Sequence, residues 1–382
     1  MGSTTDDRTA RAGAWLAAWD RQGVHRTATR GDEAGADWLI AEAVGLGAAP
    51  TTEEFVLDRL DPVEAHLECG GGRIPGVPVF DAPATPDDGI AGTLGRDIAV
   101  VELSPRNVYD PTYEKMRREA PQRGLVIVST GERPGLGLLN AEQFRRPYGP
   151  PALQIASEAR DMVLAAAARQ APGHLVATSR RTRRQARNVV VTIPGLDRNR
   201  APVVVMTPRS SWWQSTAERG GGLVCWLESL RALLAAPPLC DVIFTANSGH
   251  ELGHLGLDDF IARRPGWEQP VAAEGAVWVH YGANIGAVSG ELAILSTSED
   301  LRALTAGELA RAGRPADRIA RKTLVPSGET RDIHRSGGRY LTLVGSNPLF
   351  HLPQDRWPHA VDVAAIARIA AAAAGLVLNL TR

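Results

Sequence analysis

The clearest pattern along the 382-residue chain is a series of continuous apolar segments of strand length in its second half. Between residues 188 and 382 these segments alternate with helical spacing near 222–235, 298–312 and 360–378. Continuous apolar strands indicate a sheet that is covered on both faces. The segments read NVVVTIPG, PVVVMTP, DVIFTAN, AVWVHYG, LAILSTS and YLTLVGS. We therefore predict an α/β fold with a mostly parallel, mixed sheet flanked by helices.

The first half of the chain has a different pattern of apolar and polar residues. Residues 6–47 show helical spacing, and EEFVLDRL and VEAHLEC predict two strands joined by a turn at Asp61-Pro62. From residue 70 the chain is rich in Gly and Pro, with the short apolar segments DIAVVEL, GLVIVST and PALQIAS around a helical PTYEKMRREA. This alternation predicts a small inserted α/β module. The predicted division is 1–69 as the N-terminal part of the main domain, 70–175 as the insert and 176–382 as the catalytic domain.

Composition narrows the class of protein. Apolar residues make up 44%, charged residues 22%, and the net charge of −1 gives no overall attraction to nucleic acid or anionic membranes. Cys69, Cys225 and Cys240 form no CxxC pair, which fits a reducing compartment. The start, MGSTTDDRTARAG, lacks an apolar signal-peptide core, and Arg368 interrupts the apolar C-terminal segment. We expect a cytoplasmic protein without nucleic-acid or membrane partners, with homo-oligomerisation left open.

The arginine-rich segment TSRRTRRQAR carries five arginines in ten residues. A solvated linker or strand edge is favoured over an anion site, because charge runs usually form solvated surfaces.

The segment SGHELGHLGL, residues 248–257, contains the spelling HExxH of many zinc proteases. In those enzymes the motif lies within a helix, so that both histidines face one metal. Here His250 follows a strand after only a Ser-Gly turn, and three glycines make residues 249–256 a poor helix. We therefore predict that the spelling is a coincidence.

In sheets of this type, ligands bind beyond the carboxyl ends of the strands. The segments SGHELGHLGLDDF, ERGGGLVCWLE and LFHLPQDRWPHAVD occupy such positions. Together they make residues 188–382 resemble the di-zinc aminopeptidases of peptidase family M twenty-eight, whose relatives include glutaminyl cyclases and transferrin-receptor-like proteins. The resemblance implies a zinc-exopeptidase-like fold, and it makes the insert similar to a protease-associated domain.

The resemblance also implies roles for particular residues. In the family a Gly-Glu-Glu turn supplies a general base and then a zinc ligand, which places His250 at the base position and Glu251 at the ligand position. Glu218 stands where the family has a bridging Asp, and His351 stands at the last zinc-ligand position. We predict His250 as the catalytic residue, while a role as a ligand or no role stays open.

The family's other zinc needs a His that MTPRSSWW lacks and an Asp that HYGANIG lacks. The resemblance then implies one divalent metal, with zinc as the expected ion, held by Glu218, Glu251 and His351. His254 and His280 are additional candidate ligands. Two carboxylates and one imidazole form a reasonable catalytic zinc site.

The predicted function is that of a metal-dependent hydrolase that acts on a small amide or short peptide. A cyclase- or lyase-type use of the same site stays open, and so does a metal-free pseudo-peptidase that binds a ligand or serves as a scaffold. The candidate substrate-binding residues are Trp212, Trp213, Tyr281, Glu329 and Arg331, with core packing as the alternative for the two tryptophans.

Overall fold

The computed structural model describes residues 5–382, apart from the side chains of Thr5 and Ala273. In this part of the chain, helices α1 to α9 span Thr5–Asp20, Arg30–Gly45, Pro111–Glu119, Arg160–Ala168, Thr216–Leu234, Leu255–Ala262, Glu299–Arg311, Thr330–Arg335 and Val363–Leu380. Strands β1 to β13 span Thr51–Cys69, Gly72–Pro78, Ile90–Thr93, Ile98–Leu103, Gly124–Ser129, Ala152–Ile155, Pro172–Ile193, Val203–Pro208, Val242–Asn247, Val277–Tyr281, Leu292–Leu295, Arg318–Ile319 and Arg339–Gly345.

The main sheet runs in the order β12-β11-β13-β10-β8-β9-β7. Its centre is parallel, because β13, β10, β8 and β9 pair in parallel. The flanking strands β11 and β7 pair antiparallel to this centre. The predicted mostly parallel, mixed sheet is confirmed, and each of the six predicted apolar segments lies in one of its strands.

Both faces of the main sheet are covered, as the continuous apolar strands predict. Alternate residues of β8 point to opposite faces. Val203 and Val205 belong to a core shared with α1, α2, α5, α7 and α9. Val204 and Met206 belong to a second core shared with α6 and α8. The polar side chains that follow these strands are therefore held at the end of a rigid, two-sided core.

The C-terminal helix α9 is long and apolar enough to cross a membrane by length and composition alone. Its 18-residue apolar window is 56% buried inside the protein, chiefly against α5. The fold thus uses α9 as a packing helix.

Strand β1 corrects the prediction of two strands and a turn. It is one strand of 19 residues, paired antiparallel with β7 along its length. The register shifts between Pro62 and Glu64, which is a β-bulge. Proline has no N–H to give to the ladder, so a bulge accommodates it without a turn. The arginine-rich segment is the middle of β7, paired with β1 and largely exposed, which agrees with the predicted solvated strand edge and not with a linker.

The region between β1 and β7 forms a smaller α/β layer. Strands β4, β5 and β6 pair in parallel, and β2 pairs antiparallel with β6. Buried cores lie on its two faces. The three predicted strands and the predicted helix, α3, are present, while the protease-associated character of this region stays a prediction. Its β5–β6 connection reaches the main sheet, where the Ala141 amide donates to the Glu251 carbonyl over 2.8 Å.

Candidate metal centre

The HExxH segment does not form a zinc-protease helix. His250–Leu252 is a single 3-10 turn, and α6 begins only at Leu255. Gly249, Gly253 and His254 have left-handed φ values of 87°, 78° and 63°, which no α-helix allows. The spelling is therefore a coincidence at the level of the backbone, as predicted.

The two histidines nevertheless come together through this irregular backbone. The rings of His250 and His254 lie 5.3 Å apart between centroids. Glu329, just before α8, makes a short hydrogen bond to His250 Nδ1. One ligand atom from each of these three residues lies within 4.8 Å of the other two. His280 completes the group, with Nε2 3.3 Å from Glu329 Oε2. We call these four residues the His–Glu cluster.

The His–Glu cluster is almost closed to solvent, with none of its four side chains belonging to a residue more than 7% exposed. Burial raises the pKa of Glu329, but His250 and its hydrogen bond to the carboxylate hold that pKa well below its ordinary value. Burial lowers the pKa of His254. Glu329 is therefore ionised and His254 neutral at pH 7, the protonation states of metal ligands.

Several polar atoms of the His–Glu cluster lack hydrogen-bond partners. Both ring nitrogens of His254 and Nε2 of His280 are buried without a hydrogen bond to any of the residues that the structure describes. Buried polar groups without a partner are rare and costly. Imidazole nitrogens and a carboxylate are donors that zinc and related divalent metals bind. The cluster therefore fits a divalent metal.

Glu251, a predicted ligand, is engaged elsewhere. Its Oε1 accepts from the Thr27 amide and hydroxyl, and its Oε2 accepts from the Ser210 hydroxyl, each over 2.6 Å. Both hydroxyls in turn accept from the Gly249 amide, and Ser210 also accepts from the His250 amide. The Glu251 carboxylate thus holds the turn that presents His250, and it is not a member of the His–Glu cluster.

Glu218 and His351 lie side by side, although 133 residues separate them in the sequence. His351 Nε2 is 3.2 Å from Glu218 Oε1, and His351 Nδ1 donates to the Leu138 carbonyl over 2.6 Å. The Arg219 guanidinium is 2.7 Å from the same Glu218 oxygen. Burial raises the pKa of Glu218, but Arg219 and His351 hold it below its ordinary value. The structure brings Glu218 and His351 together, with the Arg219 guanidinium beside them. Among the described residues, both Glu218 oxygens and His351 Nε2 also lack a hydrogen-bond partner.

The predicted tryptophans lie near this pair. Trp212 packs against Phe80, with ring centroids 4.6 Å apart, and its Nε1 donates to Asn140 over 3.0 Å. Trp213 Nε1 donates to the His351 carbonyl over 2.8 Å. Trp212 is thus a core residue, whereas Trp213 supports the backbone of His351.

The other three predicted substrate-binding residues have separate locations. Tyr281 points into the core between α5 and α9, where its hydroxyl bonds Ser229 over 2.8 Å, away from the His–Glu cluster. Glu329 belongs to the cluster itself. Arg331 forms a 2.7 Å ion pair with Glu142 of the β5–β6 connection.

Residues 138–142, which we call the cover segment, close the site from the side of the insert. They bond His351, Glu251 and Arg331. A cleft of about 370 Å³ borders the cover segment at Glu142. Tyr109 and Arg331 also line this cleft. Sequence reasoning missed the cover segment, because nothing in its residues shows which part of the main domain it will contact.

Sequence reasoning also missed Glu329 as a candidate ligand, and Thr27, Ser210 and Arg219 as neighbours of the site. The charge-rich segment SGETRDIHRSGG was the only signal for Glu329. The charges of this segment are consistent with the prediction of Glu329 and Arg331 as substrate-binding residues, but they do not show which side chain is buried.

No protein-family model matches the sequence, and a search of curated proteins finds no match. Solved structures give similarity in three dimensions. A zinc aminopeptidase from Bacillus subtilis is 15% identical with a TM-score of 0.77, covering 98% of this chain and 95% of that one. A peptidase precursor of family M twenty-eight from Shewanella amazonensis is 16% identical with a TM-score of 0.75, covering 99% and 96%. A glutaminyl cyclase from Bacteroides thetaiotaomicron is 9% identical with a TM-score of 0.52, covering 97% of each chain.

These similarities extend over nearly the whole chain, including the insert and the carboxyl ends of the sheet where the His–Glu cluster lies. They agree with the resemblance drawn from the sequence segments. The chain therefore has the fold of the zinc aminopeptidases of peptidase family M twenty-eight.

Proposed function

We propose that the protein is a divalent-metal-dependent hydrolase of a small amide or short peptide, with zinc as the expected metal. The observation that carries this proposal is His254, a fully buried imidazole with two unpartnered nitrogens beside His250 and Glu329. The fold supports the same conclusion, because similar structures include zinc aminopeptidases and a glutaminyl cyclase. A cytoplasmic location and the absence of nucleic-acid and membrane partners remain predictions.

We assign the metal to His250, His254 and Glu329, with His280 beside them. This assignment replaces the triad of Glu218, Glu251 and His351 that the resemblance implies. The Glu251 carboxylate already accepts three buried hydrogen bonds, two at Oε1 and one at Oε2, which orient it toward Thr27 and Ser210. Glu218 already has the positive charge of Arg219 at 2.7 Å, so a metal cation there would face electrostatic repulsion.

A divalent metal held by this set would act as a Lewis acid toward an amide carbonyl. The Glu218–His351 pair supplies a site for a proton. His351 Nδ1 donates to a carbonyl and its Nε2 faces the Glu218 carboxylate, so a second proton on this ring would lie at Nε2, between the two groups. A proton at His351 Nε2 is suited to protonating a leaving amine.

The cover segment controls access to this chemistry. The substrate enters from the cleft beside Tyr109 and Arg331, and the Glu142–Arg331 ion pair opens to admit it. A closed cover then excludes water from the site, which strengthens the electrostatic interactions within it.

The test compares metal content and activity in matched variants. Wild type, Glu329→Gln, His254→Asn, Glu218→Gln and the exposed control His359→Ala all carry His174→Asn, which disrupts the other group of side chains that could hold a metal, His66, Glu68 and His174. The five proteins are loaded with zinc, desalted and analysed by mass spectrometry. Aminoacyl p-nitroanilides and an N-terminal glutaminyl dipeptide report hydrolysis and cyclisation. We expect the wild type and His359→Ala to retain metal at the His–Glu cluster, and Glu329→Gln and His254→Asn to lose it with their activity.

Glu218→Gln is expected to keep its metal while it loses activity. Metal loss in Glu218→Gln but not in Glu329→Gln would return the ligand role to Glu218 and overturn our assignment. Equal, negligible metal in all five proteins would support a metal-free binding protein, in which the His250–Glu329 hydrogen bond and the Glu218–Arg219 pair balance their own charges.

A further inference from the structure

A second group of metal-ligating side chains lies on the β1–β7 ribbon, at the end next to the insert. His66 and Glu68 are two residues apart on β1, so they share one face of the strand. His174 of β7 is the direct cross-strand partner of Glu68. Strand β7 joins β9 of the main sheet only from Val189 onward, roughly 50 Å further along the strand. This group, which we call the ribbon site, is therefore separate from the His–Glu cluster.

The three side chains are already spaced like metal ligands. His66 Nε2 lies 3.4 Å from Glu68 Oε1, and His174 Nδ1 lies 3.5 Å from Glu68 Oε2. Ligand atoms about 2.0–2.2 Å from a tetrahedral zinc ion are roughly 3.4 Å from one another. A cation between these atoms would need little rearrangement of the strands.

The tautomer of His174 favours a cation at this position. Its Nε2 is 2.7 Å from the Asp88 carbonyl, which can only accept, so Nε2 carries the hydrogen. In the neutral ring, Nδ1 then presents a lone pair to the Glu68 carboxylate. Two acceptors that face each other need a proton or a metal between them. A carbonyl on the outer nitrogen is also the usual second partner of a metal-bound histidine.

His66 is nearly buried, at 4% exposure. Two side chains, Arg73 and Glu64, are alternative hydrogen-bond partners of its Nδ1 atom. Its Nδ1 lies 2.8 Å from Arg73 Nη2 and 3.7 Å from Glu64 Oε1. Arginine only donates, so with Arg73 in place Nδ1 accepts and Nε2 donates to Glu68. If the half-exposed Arg73 side chain turns away, Nδ1 can donate to Glu64 and free Nε2 for a metal. Arg73 therefore competes with metal binding.

We propose that His66, Glu68 and His174 bind a divalent transition metal such as zinc or cobalt, with water at the open position. The side chains of Glu68 and His174 are 50% and 33% exposed, so a metal reaches them from solvent. The metal would join β1 to β7 where the chain enters and leaves the insert. This proposal does not depend on the proposed hydrolase activity.

The test uses Co²⁺, whose visible absorption reports tetrahedral coordination, in the full chain carrying Glu329→Gln and His254→Asn. These two substitutions remove the His–Glu cluster. The result is therefore the same whether or not that cluster binds a metal in the wild-type protein. Glu68→Gln and His174→Asn are added singly, and His359→Ala serves as an exposed-histidine control. Both added substitutions replace partly exposed side chains, so they preserve the fold even where a change at the buried His66 does not.

We expect one Co²⁺ per chain in the parent protein, with at least about a tenfold weaker binding in Glu68→Gln and His174→Asn. Arg73→Ala is expected to tighten binding, an effect that a merely structural role would not produce. No Co²⁺ absorption in the parent, or binding that is equal in the parent and in both ribbon variants, would overturn the proposal.

Discussion

Asp355 is a buried carboxyl group that bonds the start of α5. It accepts from the amides of Ala217 and Glu218 over 2.7 and 3.0 Å, which are donors that the helix itself leaves unsatisfied. Burial raises the pKa of Asp355 to about 7, against the opposing effect of these hydrogen bonds. The carboxyl group therefore titrates near neutral pH in the folded protein.

This shift gives a pH dependence of known sign. An acid whose folded pKa lies above its unfolded pKa contributes stability that is full below about pH 4 and is lost as pH rises through about 7. Each pKa unit corresponds to about 1.4 kcal/mol. We expect urea unfolding to show wild type losing stability relative to Asp355→Asn between pH 5 and pH 7.5. A difference in the free energy of unfolding between the two proteins that stays constant across this pH range would contradict the raised pKa of Asp355.

Glu251 gives a second prediction at the scale of the residue. Its removal in Glu251→Ala leaves the buried donors of Thr27 and Ser210 without their acceptor, at about 1–3 kcal/mol for each unsatisfied group. We expect the free energy of unfolding to fall by about 3–5 kcal/mol, while zinc bound per folded molecule stays unchanged. The exposed control Glu274→Ala should change stability by less than about 0.5 kcal/mol. Loss of zinc with unchanged stability would identify Glu251 as a ligand.

At the scale of the element, the cover segment is held by few contacts to α8. The ion pair between Arg331 and Glu142 is partly exposed, and such pairs contribute about 1 kcal/mol or less. In Arg331→Ala we expect hydrogen–deuterium exchange of residues 130–151 to accelerate several-fold, because local opening costs less. Arg335→Ala is the matched control, because Arg335 lies on the same helix and its ion pair is with Asp332. Equal exchange in both variants would contradict a latch at Arg331.

The predictability of the elements follows from how each one is stabilised. Strands β8, β9 and β10 are continuous apolar segments because both of their faces are buried, and this pattern is visible in the sequence. Pro62 was misread, because a proline in a turn and a proline at a bulge look alike without the partner strand. Strand β12 has two exposed residues and no apolar pattern to detect.

At the scale of the whole molecule, the candidate site was only partly predictable. The positions of His250, His254 and His280 follow from the rule that chemistry lies at the carboxyl ends of strands. Glu329 could not be assigned, because its burial depends on how α8 packs under the sheet. Glu251 was assigned by resemblance, and the hydroxyls of Thr27 and Ser210 that hold it come from distant segments with no motif.

Metal binding should stabilise the whole molecule through linkage. Zinc at 100 times its dissociation constant adds about 2.7 kcal/mol to the free energy of unfolding when it binds only the folded state. In a His174→Asn background, which removes the ribbon site, we expect added zinc to raise the melting temperature and EDTA to reverse the rise. Adding Glu329→Gln should abolish the response. A rise that persists in the Glu329→Gln protein would place the stabilising metal elsewhere.

The most direct measurement is anomalous diffraction at the zinc absorption edge from zinc-soaked crystals of the wild-type protein. We predict a peak within about 2.0–2.2 Å of a His254 ring nitrogen and a Glu329 carboxylate oxygen, with His250 as the third ligand. A peak between Glu218 and His351 instead, or no peak in the His–Glu cluster at saturating zinc, would contradict the central claim.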